Sequence, residues 1–199
     1  MKTTYRFAAA LLGLLVAACA SNPPILVALP GPPASVAQPP AQSPGATLLL
    51  RQVTLPGYLD SFAVVVDRRA NTLVVSEDAE WAERLRDAVT RNLRQALSQR
   101  LGASRVLLRG EHRIADAELV IEFLKLDPSD GALHLDARWS FVCRSRSSPI
   151  HAGGTQLQVP LEATTSSGVA AAIASALSKF ADVLASKTWC SSNGALPPS

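Results

Sequence analysis

The sequence predicts an α/β fold: a single domain with a mixed β-sheet and two main amphipathic helices. Two long apolar stripes at helical spacing, one from Trp81 to Leu101 and one from Val169 to Leu184, supply the helices. Between and before them lie short β-branched or alternating runs bounded by turn residues, in the order β-β-β-α-β-β-β-β-α. The chain of 199 residues, 48% hydrophobic, is long enough to bury a real core in one domain from about Thr47 onward.

The N-terminus comes first and is not part of that domain. Lys2 and Arg6 precede an uncharged apolar run from Phe7 to Ala18, too short for a stable membrane span and right for the core of an export signal. The run ends in Val16-Ala17-Ala18-Cys19, where small residues fit a peptidase and a thiolate can take a diacylglycerol. Residues 1–18 thus read as a lipoprotein signal peptide and Cys19 as the lipidation site, with covalent acyl groups as the anchor; an ordinary secretory cut near Ala18-Cys19-Ala20 is the competing reading. Ala20, rather than Asp, follows the cysteine, which favours the outer membrane, periplasmic face, in enterobacterial-type sorting.

Residues 19–46 read as the lipidated cysteine and a Pro-rich tether. Eight of the fourteen prolines fall there, and proline lacks the amide donor that a helix needs. Ile25 to Leu29 interrupts the tether with an apolar patch fit to pack on the domain or on a partner.

Residues 47–199 form the domain, with a flexible C-terminal tail. Leu48 to Thr54 is a strand, Leu55-Pro56-Gly57-Tyr58 a turn, and Phe62 to Val66 with Thr72 to Val75 a pair of strands joined by Asp67 to Asn71. Ser76 suits a helix N-cap with acids behind it, so the first helix is expected to carry Trp81, Leu85, Val89, Leu93, Leu97 and Leu101 on its buried stripe and to stop at Gly102. Its arginines, among them Arg84, Arg86, Arg91, Arg94 and Arg100, suit a solvated face paired with Glu83 and Asp87, or a headgroup or partner patch. After a short strand at Arg105 to Leu108, Ala117 to Leu126 and Ala132 to Cys143 form a hairpin around Asp127 to Gly131. Leu133, Leu135, Ala137, Trp139 and Phe141 lie on its dry face. Thr155 to Val159 is a last strand and Thr165 to Ala185 the second helix, whose remaining surface is Ala and Ser.

Composition and motifs exclude several functions. Removing Lys2 and Arg6 from 19 basic residues leaves 17 against 16 acids, no footprint for nucleic acid. The sequence has no Walker loop and no G-x-S-x-G elbow. His112, His134 and His151 are isolated, without a second ligand at metal-binding spacing, so no metal and no cofactor beyond the acyl modification is expected. His134, Asp136 and Arg138 suit a solvated sheet face more than a polar cluster. The reading is therefore of a protein that is not an enzyme. With Cys19 acylated, Cys143 and Cys190 are left as a disulfide candidate in an oxidising compartment, two buried thiols being the alternative.

Three pieces in order then carry a resemblance: Leu55-Pro56-x-Tyr58-Leu59-Asp60 after the lipobox cysteine, Trp81-Ala82-Glu83-x-Leu85, and Leu135-x-Ala137-x-Trp139. Together, over roughly Thr47 to Ala185, they resemble the PqiC (YmbA) family of auxiliary lipoproteins of ABC-type transport systems. The resemblance implies an anticodon-binding-like or TolB N-terminal-like fold. It implies an outer-membrane lipoprotein that docks a periplasmic MCE-domain (PqiB-like) protein and, through it, an inner-membrane lipid-transport complex, with a homo-oligomeric ring as one assembly. Tyr58, Leu59, Asp60, Trp81 and Glu83 match the family motif and are the partner-binding candidates, although Trp81 also suits the core. The alternative is a structural or assembly lipoprotein that braces an envelope complex without handling lipid.

Overall fold

The structure, a computed structural model, describes residues 22–33, 46–108, 110–144 and 149–187. It is an α/β fold with two sheets where one mixed sheet was expected. The strands are β1 (Ile25–Val27), β2 (Leu48–Leu50), β3 (Ala63–Arg69), β4 (Thr72–Trp81), β5 (Val106–Leu108), β6 (Ala117–Ser129), β7 (Ala132–Cys143) and β8 (Pro149–Pro160). The helices are α1 (Leu85–Leu101) and α2 (Ser166–Ala185). One sheet has the order β1-β4-β3, the other β5-β2-β6-β7-β8.

The larger sheet is mixed: β2 runs parallel to both β5 and β6, while β6, β7 and β8 form an antiparallel meander. The β6–β7 hairpin closes through Asp130 (φ 53) and Gly131 (φ 74), two residues in the left-handed region, so the strand runs on through Ser129 instead of stopping at Leu126. On β7 the expected dry face is buried, with Leu133, Leu135, Ala137 and Phe141 all nearly or wholly inaccessible. Helix α2 packs over β7 and β8, while α1 packs on β5 and along α2. Phe123 of β6 meets Phe180 of α2 edge to face at 5.8 Å.

Arg100 joins the two helices. Its side chain donates to Asp182 Oδ1 (2.6 Å), to the Ser178 carbonyl (2.8 Å) and to the Ala96 carbonyl (2.7 Å). Alanine at positions 170, 172, 174, 176 and 181 lets α2 sink into the domain. That helix is long and apolar enough to cross a membrane, but 61% of its most apolar window is buried within the protein, the mark of a core helix. Thr165 caps it, its hydroxyl accepting from the Gly168 N–H at 3.2 Å.

Two differences from the sequence reading concern the first helix and the tether. Ser76 is not an N-cap: residues 72–81 are strand, and α1 begins at Leu85 after Arg84, which makes no side-chain cap. Local spacing from Trp81 to Leu85 imitates a helical turn. However, Ala79 and Trp81 are buried while Glu80 is exposed, which is strand alternation, and β4 is paired on both sides. One of those partners is β1, from the stretch expected to be tether: Ile25, Leu26 and Val27 pair in parallel with Ala79, Glu80 and Trp81. The apolar patch at Ile25 to Leu29 therefore packs on the domain, Leu29 at 3% exposure. Residues 34–45 and 188–199, the rest of the tether and the C-terminal tail, lie outside the described residues, as does the signal peptide.

Candidate functional site

The turn from Leu55 to Asp60 sits where the two sheets meet. Leu55 and Leu59 point inward, at 8% and 3% exposure, and the Leu59 N–H donates to the Pro56 carbonyl at 2.9 Å. The apolar anchors fix the direction of the side chains between and after them. Tyr58 is half-buried and packs against the core, while Asp60 reaches towards α1.

Tyr58 belongs to a three-residue network. Its hydroxyl donates to Asp127 Oδ2 (3.2 Å) and accepts from Arg68 Nη1 (3.0 Å), while Arg68 Nη1 also donates to Asp127 Oδ2 at 2.6 Å. The guanidinium carbon lies 5.3 Å from the Tyr58 ring centroid. The Asp127 side chain is wholly buried and that of Arg68 one-third exposed. Burial, then the Asp127 charge, pushes the Tyr58 phenol above its ordinary value. The hydrogen bond and charge of Asp127 push the Arg68 guanidinium up in turn. This network ties the turn (Tyr58), the β3–β4 hairpin (Arg68) and the end of β6 (Asp127) into one unit.

Beside it is an open surface. Arg86 Nη1 donates to Asp60 Oδ2 at 2.9 Å, and Arg84 Nη1 to the Asp60 carbonyl at 3.3 Å. Arg84 lies over Phe62, 5.3 Å from the ring centroid, and Phe62 is 43% exposed. Glu83, just before α1, pairs with Arg91 within it, and Gln52 donates to Asp87 at 2.7 Å. The Trp81 side chain lies beneath, 2% exposed, and its backbone N–H donates to the Phe62 carbonyl at 2.7 Å.

Of the five motif residues, Leu59 and Trp81 are core, Tyr58 is in the buried network, and Asp60 and Glu83 reach the surface in ion pairs. Phe62, which completes the surface, and Arg68 and Asp127, which fix the turn, are functional candidates that sequence reasoning missed. Arg84 was among the arginines that suited a solvated face or a headgroup or partner patch. Asp127 carried none, since in a D-P-S-D-G stretch an aspartate reads as a turn residue, not as a buried carboxylate.

Elsewhere the polar face of the larger sheet is dispersed. His134 Nε2 lies 3.3 Å from the Ser129 carbonyl, and Asp136 accepts from Gln156, not from His134. Among the described residues no three metal-ligating side chains converge. Over β8 a shallow depression of about 400 Å³ is lined by Val120, Glu122, Arg138, Ser140, Ala152 and Gly154. Directly across from Trp139, Gly153 lets the indole ring lie against β8: a Cβ there would stand 2.7 Å from Trp139 Cζ2. Cys143 is buried, at 2% exposure, and disulfide-bonded. Cys190, its candidate partner, and Cys19 lie outside the described residues.

Comparison with known proteins adds the following. The family model described as "ABC-type transport auxiliary lipoprotein component" matches residues 28–185. No curated protein matches the sequence. A crystal structure of an uncharacterized protein is similar in fold at a TM-score of 0.65, with 17% identity over 82% of this chain and 97% of the other. Protein XCC0632 from Xanthomonas campestris is similar at a TM-score of 0.63, with 19% identity over 81% of this chain and 90% of that one.

Proposed function

The chain belongs to the family of ABC-type transport auxiliary lipoprotein components, and from that membership we propose that it docks a periplasmic MCE-domain protein to the outer membrane, as the lipid-anchored auxiliary subunit of a Pqi-like lipid-transport system. Cys19 carries the anchor, and the role is to hold, not to catalyse.

The observation that supports docking is the surface formed by Asp60, Phe62, Arg84 and Arg86. A half-exposed aromatic covered by an arginine, itself held by the carbonyl of the turn, is the kind of residue pair that dominates protein interfaces. Both members rest on fixed elements: Phe62 on the Trp81 backbone at the end of β4, Arg84 at the entry to α1. The interface would therefore be pre-organised, with little ordering to do on binding.

Binding of the soluble domain to the solubilised transport complex tests this. Phe62→Ser and Arg84→Ala should each weaken capture by about 2 kcal/mol, roughly 30-fold, with unchanged melting. Undiminished capture by both variants would remove this surface from the interface.

A further inference from the structure

The strap formed by residues 25–32 changes the geometry of the anchor. A continuous tether from Cys19 to Leu48 would span 29 residue steps, up to about 90 Å of extended chain. The domain, however, is already gripped at Ile25. Beyond the three-residue pairing with β4, the Ala82 N–H donates to the Val27 carbonyl at 2.8 Å. Asn92 of α1, wholly buried, donates to the Pro30 carbonyl at 2.5 Å, and Leu29 and Pro32 are buried. Only six residue steps separate Ile25 from Cys19, so whatever conformation they take they reach no further than about 21 Å.

We infer that the exposed edge of the β1-β4-β3 sheet, presented by Ile25 and Leu26, rests against the lipid surface and sets the orientation of the domain on the membrane. This rests on the reading of Cys19 as the acylated residue. Ile25 and Leu26 are 62% and 64% exposed, among the most exposed large apolar side chains of the described residues, and they lie at the end of the chain from which the anchor departs. β1 is an edge strand, with β4 on one side only. The apolar contact comes from Ile25 and Leu26, while exposed residues of β4 near it, Glu77, Asp78 and Glu80, are all acidic and favour a zwitterionic interface over an anionic one. The docking surface at Phe62 and Arg84 follows, because Phe62 and Val27 bond to neighbouring residues, Trp81 and Ala82. It too is held near the membrane, instead of at the far end of a long tether.

Photo-cross-linking of the full-length, acylated protein in phosphatidylethanolamine/phosphatidylcholine vesicles tests the inference. p-Benzoylphenylalanine replaces Leu26 in one sample and Leu124, 40% exposed on the other sheet, in a second. Lipid adducts should form at position 26 and not at position 124. They should be lost when a long Gly/Ser insertion is placed between Ala20 and Asn22, whereas the same insertion within residues 34–45 leaves them intact. Protein that floats with the vesicles but yields no lipid adduct at position 26, equal adducts at both positions, or adducts only to protein would overturn the inference and leave the anchor standing. Failure of the wild-type protein to float would instead refute acylation at Cys19, and the inference with it.

Discussion

Removing Arg68 should show whether the motif turn is held by a buried ion pair or by apolar packing alone. In Arg68→Ala the wholly buried Asp127 carboxylate keeps one hydrogen bond, from Tyr58, and loses the 2.6 Å contact to the guanidinium. Breaking a buried pair by removing one partner costs about 3–5 kcal/mol. Arg68 is one-third exposed, so water screens part of the interaction in the native protein and the loss should be nearer 2–3 kcal/mol. Tyr58→Phe removes a bond to each partner but leaves the ion pair, and should cost about 1–2 kcal/mol. The Tyr58 phenol is pushed up in the folded state, so its neutral form is the one favoured there. Its contribution is complete below the ordinary tyrosine value near 10 and is lost as pH rises through the raised one. Urea unfolding at neutral and alkaline pH reads all three quantities, and a double-mutant cycle with Asp127→Asn isolates the coupling. A cost below about 0.5 kcal/mol for Arg68→Ala, on the scale of an exposed pair, would mean that apolar packing alone holds the turn.

Three further outcomes follow from single contacts. Gly153→Ala should destabilise the protein by about 1–3 kcal/mol by driving a methyl group into the Trp139 ring, and Trp139→Phe in the same chain should recover part of the loss; thermal melts decide it. Asp116 is held below the usual carboxylate range first by the Thr47 N–H (2.7 Å) and then by the Thr47 hydroxyl (2.9 Å). Its contribution, about 0.5–1 kcal/mol for an exposed group, is therefore present above the ordinary value near 4 and lost as pH falls through the depressed one. Acid titration of Asp116→Asn should show a flatter stability profile between those values. Alkylation of the mature protein without reductant, followed by mass measurement, should leave Cys143 and Cys190 unmodified if the two pair.

Much of the fold is legible where the pattern is local. The β7 alternation encodes its own conformation and is placed to the residue, and the helical stripe ends at Leu101 before Gly102 as expected, although the helix starts at Leu85 and not after Ser76. It fails where a distant partner decides. Residues 76–81 carry acids and a tryptophan that suit a helix start, and only pairing with Ile25–Val27 and Ala63 makes them strand. The same pairing makes a Pro-rich stretch part of the domain, with prolines flanking the strand at 23, 24 and 30 but not within it. The motif turn was visible as a motif, but not the division of labour within it. That Tyr58 faces Asp127 while Asp60 faces Arg86 depends on chain separations of 69 and 26 positions. Nothing in the spacing of the motif distinguishes the residue that locks from the one that is displayed.

We propose that this protein docks a transport component through the Asp60–Phe62–Arg84–Arg86 surface. The most direct measurement is in vivo photo-cross-linking from position 62 in the lipidated protein, with partners captured from solubilised membranes and identified by mass spectrometry. An MCE-domain protein should be cross-linked from position 62, lost when Arg84→Ala is added and retained in Tyr58→Phe. Cross-links only to outer-membrane assembly or peptidoglycan-bound proteins, or an MCE cross-link indifferent to Arg84, would contradict it.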